Sequence, residues 1–302
     1  MKLWCAMLLV LGLQAQAEQP AFAEVPLPDT QVIELPDPSS GRQYQLWLDL
    51  PASYQQDKDK RFAVLVLTDA NYAFPLVRSI NNRLGAGGQN IEDFILVGLS
   101  YAKQDNATDS RSLDYTPTNV RAKAKPESRY GAKAYGGAPA YQQYLKTQVL
   151  PYLSQHYRVD PKRLIFVGHS FGALLGSQIL LTEPQLFSHY VLSSPSLWFD
   201  QHWVWQQEKR YAQSHQDLPA TVLLYAGAYE QQGPTARHYK TNTLNMVADM
   251  QKFAALLQSH QYPSLQLRQQ VIADEDHLSV FPRMISDALL QLLPGTGPYT
   301  PG

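Results

Sequence analysis

The 302 residues are 44% apolar and 17% charged, with 25 Lys and Arg against 26 Asp and Glu. A formal net charge of −1 gives no broad field for nucleic acid or an anionic membrane, so neither is expected as a partner. A single cysteine, Cys5, excludes a disulfide framework and a zinc-thiolate site, and no metal or cofactor is expected.

Met1-Lys2 is followed by an apolar run from Leu3 to Leu13 and then by Gln14-Ala15-Gln16-Ala17. A basic start, a short apolar stretch and an A-x-A site predict a cleavable signal peptide over 1–17. The run is too short to span a membrane, which takes about 20 apolar residues. Cys5 precedes the apolar core rather than following it, so a lipid anchor is not expected. The sequence reads as a soluble exported protein, periplasmic where a second membrane exists, and a monomer.

Residues 18–42 hold Pro20, Pro26, Pro28, Pro36 and Pro38, which keep the chain extended apart from a strand-like stretch at Gln31–Leu35. The body is expected over 43–294. Strand-length apolar runs follow at Gln43–Leu50, Phe62–Thr68, Phe94–Ser100, Arg163–Val167, His189–Ser193, Thr221–Ala226 and Gln266–Ile272. The first alternates and predicts an antiparallel edge strand. Phe62–Leu67 and Leu164–Val167 are continuously apolar, as in parallel strands covered on both faces. Helical stripes occur at Tyr141, Leu145, Val149 and Leu153, with Pro151 predicting a kink, and at Leu244, Val247, Met250, Phe253, Ala254 and Leu257. The fold class is α/β, a mostly parallel twisted sheet flanked by helices, with a flexible tail over 295–302.

Residues 102–138 interrupt this alternation. They contain seven basic residues (Lys103, Arg111, Arg121, Lys123, Lys125, Arg129, Lys133) against Asp105, Asp109, Asp114 and Glu127. A long insertion after an inner strand leaves from the edge where ligands bind in α/β sheets. It is expected to be either a solvated loop or part of a binding site.

Gly168-His169-Ser170-Phe171-Gly172 follows one of the inner strands and opens a helix at Ala173–Leu181. A G-x-S-x-G string is weak by itself, but strand–turn–helix is the context of a nucleophile elbow, which makes Ser170 the expected nucleophile. Its hydroxyl needs a base. Of eight histidines, His277 alone follows the last strand-like run, where this order of elements puts the base. The acid is expected after Thr221–Ala226, which selects Glu230; Asp274, Glu275 and Asp276 are rivals, though too close to His277 in the chain to reach its Nδ1 readily.

These residues resemble the putative-esterase (esterase D-like) family of the α/β-hydrolase fold, including periplasmic esterases of enterobactin and salmochelin. The resemblance runs from about residue 31 to 293. It rests on Thr68-Asp69-Ala70-Asn71, Arg111–Pro117, the Gly-Gly-Ala at 136–138, the elbow, Ser194-Pro195-Ser196-Leu197-Trp198-Phe199 and Asp276-His277.

It implies Ser170 as nucleophile, His277 as base and an acid that the siderophore branch can dispense with. Oxyanion donors would be the amides of Phe171 and of Ala70, where the family commonly has glycine; an alanine serves there only with negative φ. Arg111, Asn71, Trp198 and Phe199 are the expected substrate-binding residues, and Trp203 and Trp205 fit pocket or core. The expected function is an exported serine esterase (EC 3.1.1-type) opening a catecholate siderophore trilactone, as its ferric complex, to release iron. The alternatives are a general carboxylesterase on short acyl or feruloyl esters, and a non-catalytic binding protein on the same fold.

Overall fold

The computed structural model describes residues 26–85, 88–120, 131–231, 233 and 244–298. The expected signal peptide, residues 1–17, lies outside them, as do Arg121, Lys123, Lys125, Glu127 and Arg129. No helix among the described residues is long and apolar enough to cross a membrane.

One eight-stranded sheet organises the chain. Its strands are β1 (Thr30–Glu34), β2 (Gln45–Asp49), β3 (Phe62–Leu67), β4 (Phe94–Leu99), β5 (Val159–His169), β6 (His189–Ser193), β7 (Thr221–Gly227) and β8 (Gln266–Ile272). They lie in the order β1-β2-β4-β3-β5-β6-β7-β8. β2 runs antiparallel to both β1 and β4, and every pair from β4 to β8 is parallel. The Gln43–Leu50 run is therefore antiparallel as its alternation predicts, but it is not the edge. The Pro-bounded stretch β1 covers it and takes the edge itself, where prolines on either side block further pairing.

The helices are α1 (Ala70–Leu84), α2 (Ala107–Asp114), α3 (Ala138–Tyr144), α4 (Leu150–His156), α5 (Phe171–Leu180), α6 (Phe199–Ser214), α7 (Met246–Ser259) and α8 (Val280–Leu292). They divide the core into two layers. One cluster joins Val64, Val66 and Phe166 to Leu175, Phe253 and Leu257; the other joins Leu65, Leu67 and Val167 to Phe74, Met284 and Leu289. Side chains alternate between the faces of a strand, so β3 and β5 need apolar residues at every position to fill both layers.

Three expectations change in detail. α3 and α4 are joined through a π-helical segment, Leu145–Val149, just before Pro151. There the Leu150 amide donates to the Leu145 carbonyl, five residues back, and the helix continues past the proline. The 102–138 insertion is not structureless, since α2 occupies its first third, N-capped by the Asn106 side chain. The tail expected to be free from residue 295 begins tied down: Gly295, Thr296 and Gly297 donate to Asn90, Gly88 and Gln89 carbonyls.

Candidate active site

The parallel register brings four loops to one edge. Leu67 lies beside Val167, His169 beside Ser193, Ser193 beside Tyr225, and Gly227 beside Ile272. The carboxyl ends of β3, β5, β7 and β8 thus carry Asp69, Ser170, Glu230 and His277 to the same side of the sheet.

Ser170 occupies the sharpest turn. Its φ of 59° and ψ of −117° are strained for a residue with a Cβ, at a cost of about 1–3 kcal/mol. The flanking glycines are what permit the turn. A Cβ on Gly168 would lie 2.3 Å from the Gly172 carbonyl oxygen, and one on Gly172 would lie 2.2 Å from Thr68 Oγ1. The elbow is therefore packed backbone to backbone on itself and hard against the loop after β3. Ser170 Oγ sits 3.3 Å from Ser196 Oγ, and the Ser170 amide donates to the Ser193 carbonyl.

Glu230, in the helical turn Ala228–Glu230, is 2% exposed and fully engaged. Its Oε1 accepts from Ser194 Oγ at 2.5 Å and from the Gly227 amide at 2.8 Å, while Oε2 accepts from His277 Nδ1 at 2.7 Å. The approach of the two loops again relies on a missing side chain, because a Cβ on Gly227 would stand 2.4 Å from the Glu275 carbonyl oxygen. The rivals to Glu230 face elsewhere. Asp274 accepts from Tyr229, Glu275 from Arg283, and Asp276 from the amides of Leu278 and Ser279. A carboxylate on Nδ1 fixes the tautomer that leaves Nε2 able to accept a proton.

The expected oxyanion donors fall at two helix N-termini, Ala70 opening α1 and Phe171 opening α5. The first amides of a helix have no partner within it and point at positive potential, which suits an anion. The positive φ in the first loop lies one residue before the alanine: Asp69 takes the left-handed conformation (φ 57°, ψ 45°), and Ala70 is helical. Replacement of the family glycine by alanine thus carries no backbone strain.

Asp69 was not singled out by sequence. It is fully buried, and its carboxylate accepts Tyr101 Oη at 2.6 Å and both Nε and Nη2 of Arg111 at 3.0 and 3.3 Å, while its amide donates to Tyr115 Oη. This network changes the reading of Arg111. Burial opposes its charge, but the Asp69 carboxylate outweighs that and holds the guanidinium protonated above its ordinary range. The same group stands 5.4 Å from the centre of the Phe171 ring. Arg111 therefore braces the loop that carries Ala70. Other basic residues of the insertion are paired as well, Lys103 with Glu34 and Lys133 with Asp109.

The remaining expected substrate contacts divide. Asn71 is exposed on the first turn of α1, and Trp198 is half-buried beside Phe171, with ring centres 6.1 Å apart. Phe199 is fully buried in a small cluster with Val120, Ala132, Tyr135 and Leu174. It is a packing residue, contrary to its sequence assignment. Trp203 and Trp205 both pack on the main core; Trp205 stacks on His202 and lies against Phe253 of α7.

Replacing Arg111 by Ala should lower kcat/KM on a neutral ester and on an anionic one by the same factor, because what is lost is the brace on Asp69. Steady-state kinetics on both substrates check this, and a loss confined to the anionic ester would restore Arg111 as a substrate contact.

Comparison with known proteins identifies the family and the fold. Residues 38–269 match the family described as "Putative esterase". The chain is 24% identical to the ferri-bacillibactin esterase BesA of Bacillus subtilis, over 90% of this chain and 92% of that one. It is 26% identical to the siderophore triacetylfusarinine C esterase of Aspergillus fumigatus, over 70% and 71%. Among solved structures, an IroE-like serine hydrolase from Shewanella oneidensis superposes with a TM-score of 0.71 at 23% identity, covering 87% of this chain and 80% of that one. With its α/β-hydrolase fold, the chain belongs to this esterase family and is a carboxylic ester hydrolase.

Proposed function

We propose that the protein is an exported serine esterase of siderophores, with Ser170 as nucleophile, His277 as base and Glu230 as the orienting acid. The observation that carries the mechanism is the 2.7 Å contact from Glu230 Oε2 to His277 Nδ1, on a loop adjoining a strained, glycine-flanked serine.

In this mechanism His277 Nε2 takes the Ser170 proton as Oγ attacks the ester carbonyl. Glu230 stabilises the imidazolium that forms. The Ala70 and Phe171 amides receive the carbonyl oxygen as it becomes an oxyanion, an interaction worth about 10²–10³ in rate per donor. His277 then protonates the departing alcohol. In the second half-reaction a water gives its proton to His277, attacks the acyl-enzyme and releases the acid, regenerating Ser170.

The substrate class follows from the names of the relatives, which are esterases of ferri-bacillibactin and of triacetylfusarinine C. We assign a catecholate trilactone, in its ferric complex, as the preferred substrate, with the metal as cargo that ester cleavage helps to release. Export follows from the layout of residues 1–17. Pairing of Arg111, Lys103 and Lys133 with carboxylates argues against a simple cationic patch made by these three. Recognition of the aromatic arms then falls to groups such as Trp198, which present flat apolar surface.

Fluorophosphonate should label Ser170 in the folded protein, and kcat/KM should be higher on a ferric catecholate trilactone than on p-nitrophenyl butyrate. Labelling with the reverse order of kcat/KM would leave a general esterase, and failure to label would remove the serine mechanism. Glu230→Gln keeps the size of the side chain but loses the charge that orients His277. It is expected to lower kcat by about 10²–10⁴ with little change in KM; an unchanged kcat would reduce the machinery to Ser170 and His277.

A further inference from the structure

The elbow contains a second imidazole that the mechanism does not use. His169 immediately precedes Ser170, is 6% exposed, and lies with its ring centre 4.7 Å from that of His277 at an interplanar angle of 40°. Its Nδ1 is 3.2 Å from Ser193 Oγ, and the ring of Phe281 in α8 closes its other side at 5.7 Å. His169 Nε2 is buried and makes no hydrogen bond among the described residues.

These contacts complete a circuit. His169 is held to Ser193 in β6; the next residue, Ser194, donates to Glu230; Glu230 accepts from His277; and the His277 ring returns to His169. Ser194 reaches Glu230 from a left-handed conformation, φ 43°, which is uncommon for serine and is held by its amide on the Tyr225 carbonyl. His277 is thus held at Nδ1 by a carboxylate and lies against a tilted aromatic ring.

Given the esterase mechanism above, we infer that His169 is a positioning residue whose ring packs against that of His277 and keeps its imidazole aligned on Ser170. For this the ring must stay uncharged beside an imidazolium. Burial, followed by the charges of His277 and Arg111, holds its pKa well below the ordinary histidine value. The charged groups around the pair are Glu230 from the turn after β7 and Arg111 from α2, the latter neutralised by Asp69. Glu275 and Asp276 of the His277 loop are turned to Arg283 and to backbone amides.

Two substitutions separate the ring face from the hydrogen bond. His169→Asn keeps a polar group for Ser193 but removes the face, and His169→Phe keeps the face but loses the polar group. Each is assayed on p-nitrophenyl butyrate, with rates divided by the serine titrated with fluorophosphonate so that only competent sites count. His169→Asn should lower kcat by about tenfold to a hundredfold, the scale of a small misalignment of a catalytic group, with KM nearly unchanged. His169→Phe should restore kcat to within about threefold of wild type. Wild-type kcat in His169→Asn, or a His169→Phe as slow as His169→Asn, would overturn the proposal. A wild-type protein that is not labelled at Ser170 would instead remove the serine mechanism on which the proposal rests.

Discussion

The site depends on backbone contact at the elbow. With Gly168 against the Gly172 backbone, and Gly172 against the Thr68 side chain, the turn after β5 presses on the loop after β3 with no room for a Cβ at either glycine. This contact allows two helix N-termini to converge, and it accounts for the positive φ at Ser170. A strained residue persists only where its surroundings over-determine it. Here they do, through the β5–β6 register, the Ser170 amide on Ser193, and the packing of α5 on the sheet.

Electrostatics around the elbow follow one pattern, in which each buried charge has a partner before any substrate arrives. Asp69 is answered by Arg111 and by the Tyr101 hydroxyl, and Glu230 by a serine, an amide and an imidazole. Buried ions are costly unless paired and hydrogen-bonded, so these residues serve mainly to fix loops. In the proposed mechanism the oxyanion is then met by amide dipoles already in place, without reorganisation.

Much of the architecture could be read from the sequence because parallel strands buried on both faces are continuously apolar, as Phe62–Leu67 is, and because Gly168–Gly172 falls between a strand and a helix. Chain order, together with the closeness of Asp274, Glu275 and Asp276 to His277 in the chain, selects Glu230, and in the structure it is Glu230 that accepts from His277 Nδ1. What could not be read was pairing across the fold. Arg111 looked available to substrate because Asp69, 42 residues earlier, is invisible as its partner in one dimension. Phe199 looked like a pocket residue because it follows a strand end, whereas its burial is decided by Tyr135 and Leu174 from other segments. The edge position was assigned to β2 because β1 is short and bounded by prolines, a pattern that fits an outermost strand as well as it fits a loop.

The central claim is that an ester's acyl group passes through Ser170. Rapid acid quench of the protein during turnover of a p-nitrophenyl ester, followed by mass spectrometry of its peptides, tests this most directly. The account predicts an acyl adduct on the peptide containing Ser170, formed together with a burst of nitrophenol and absent from Ser170→Ala. Full turnover by Ser170→Ala, or an adduct on another residue that appears at the burst rate, would contradict it.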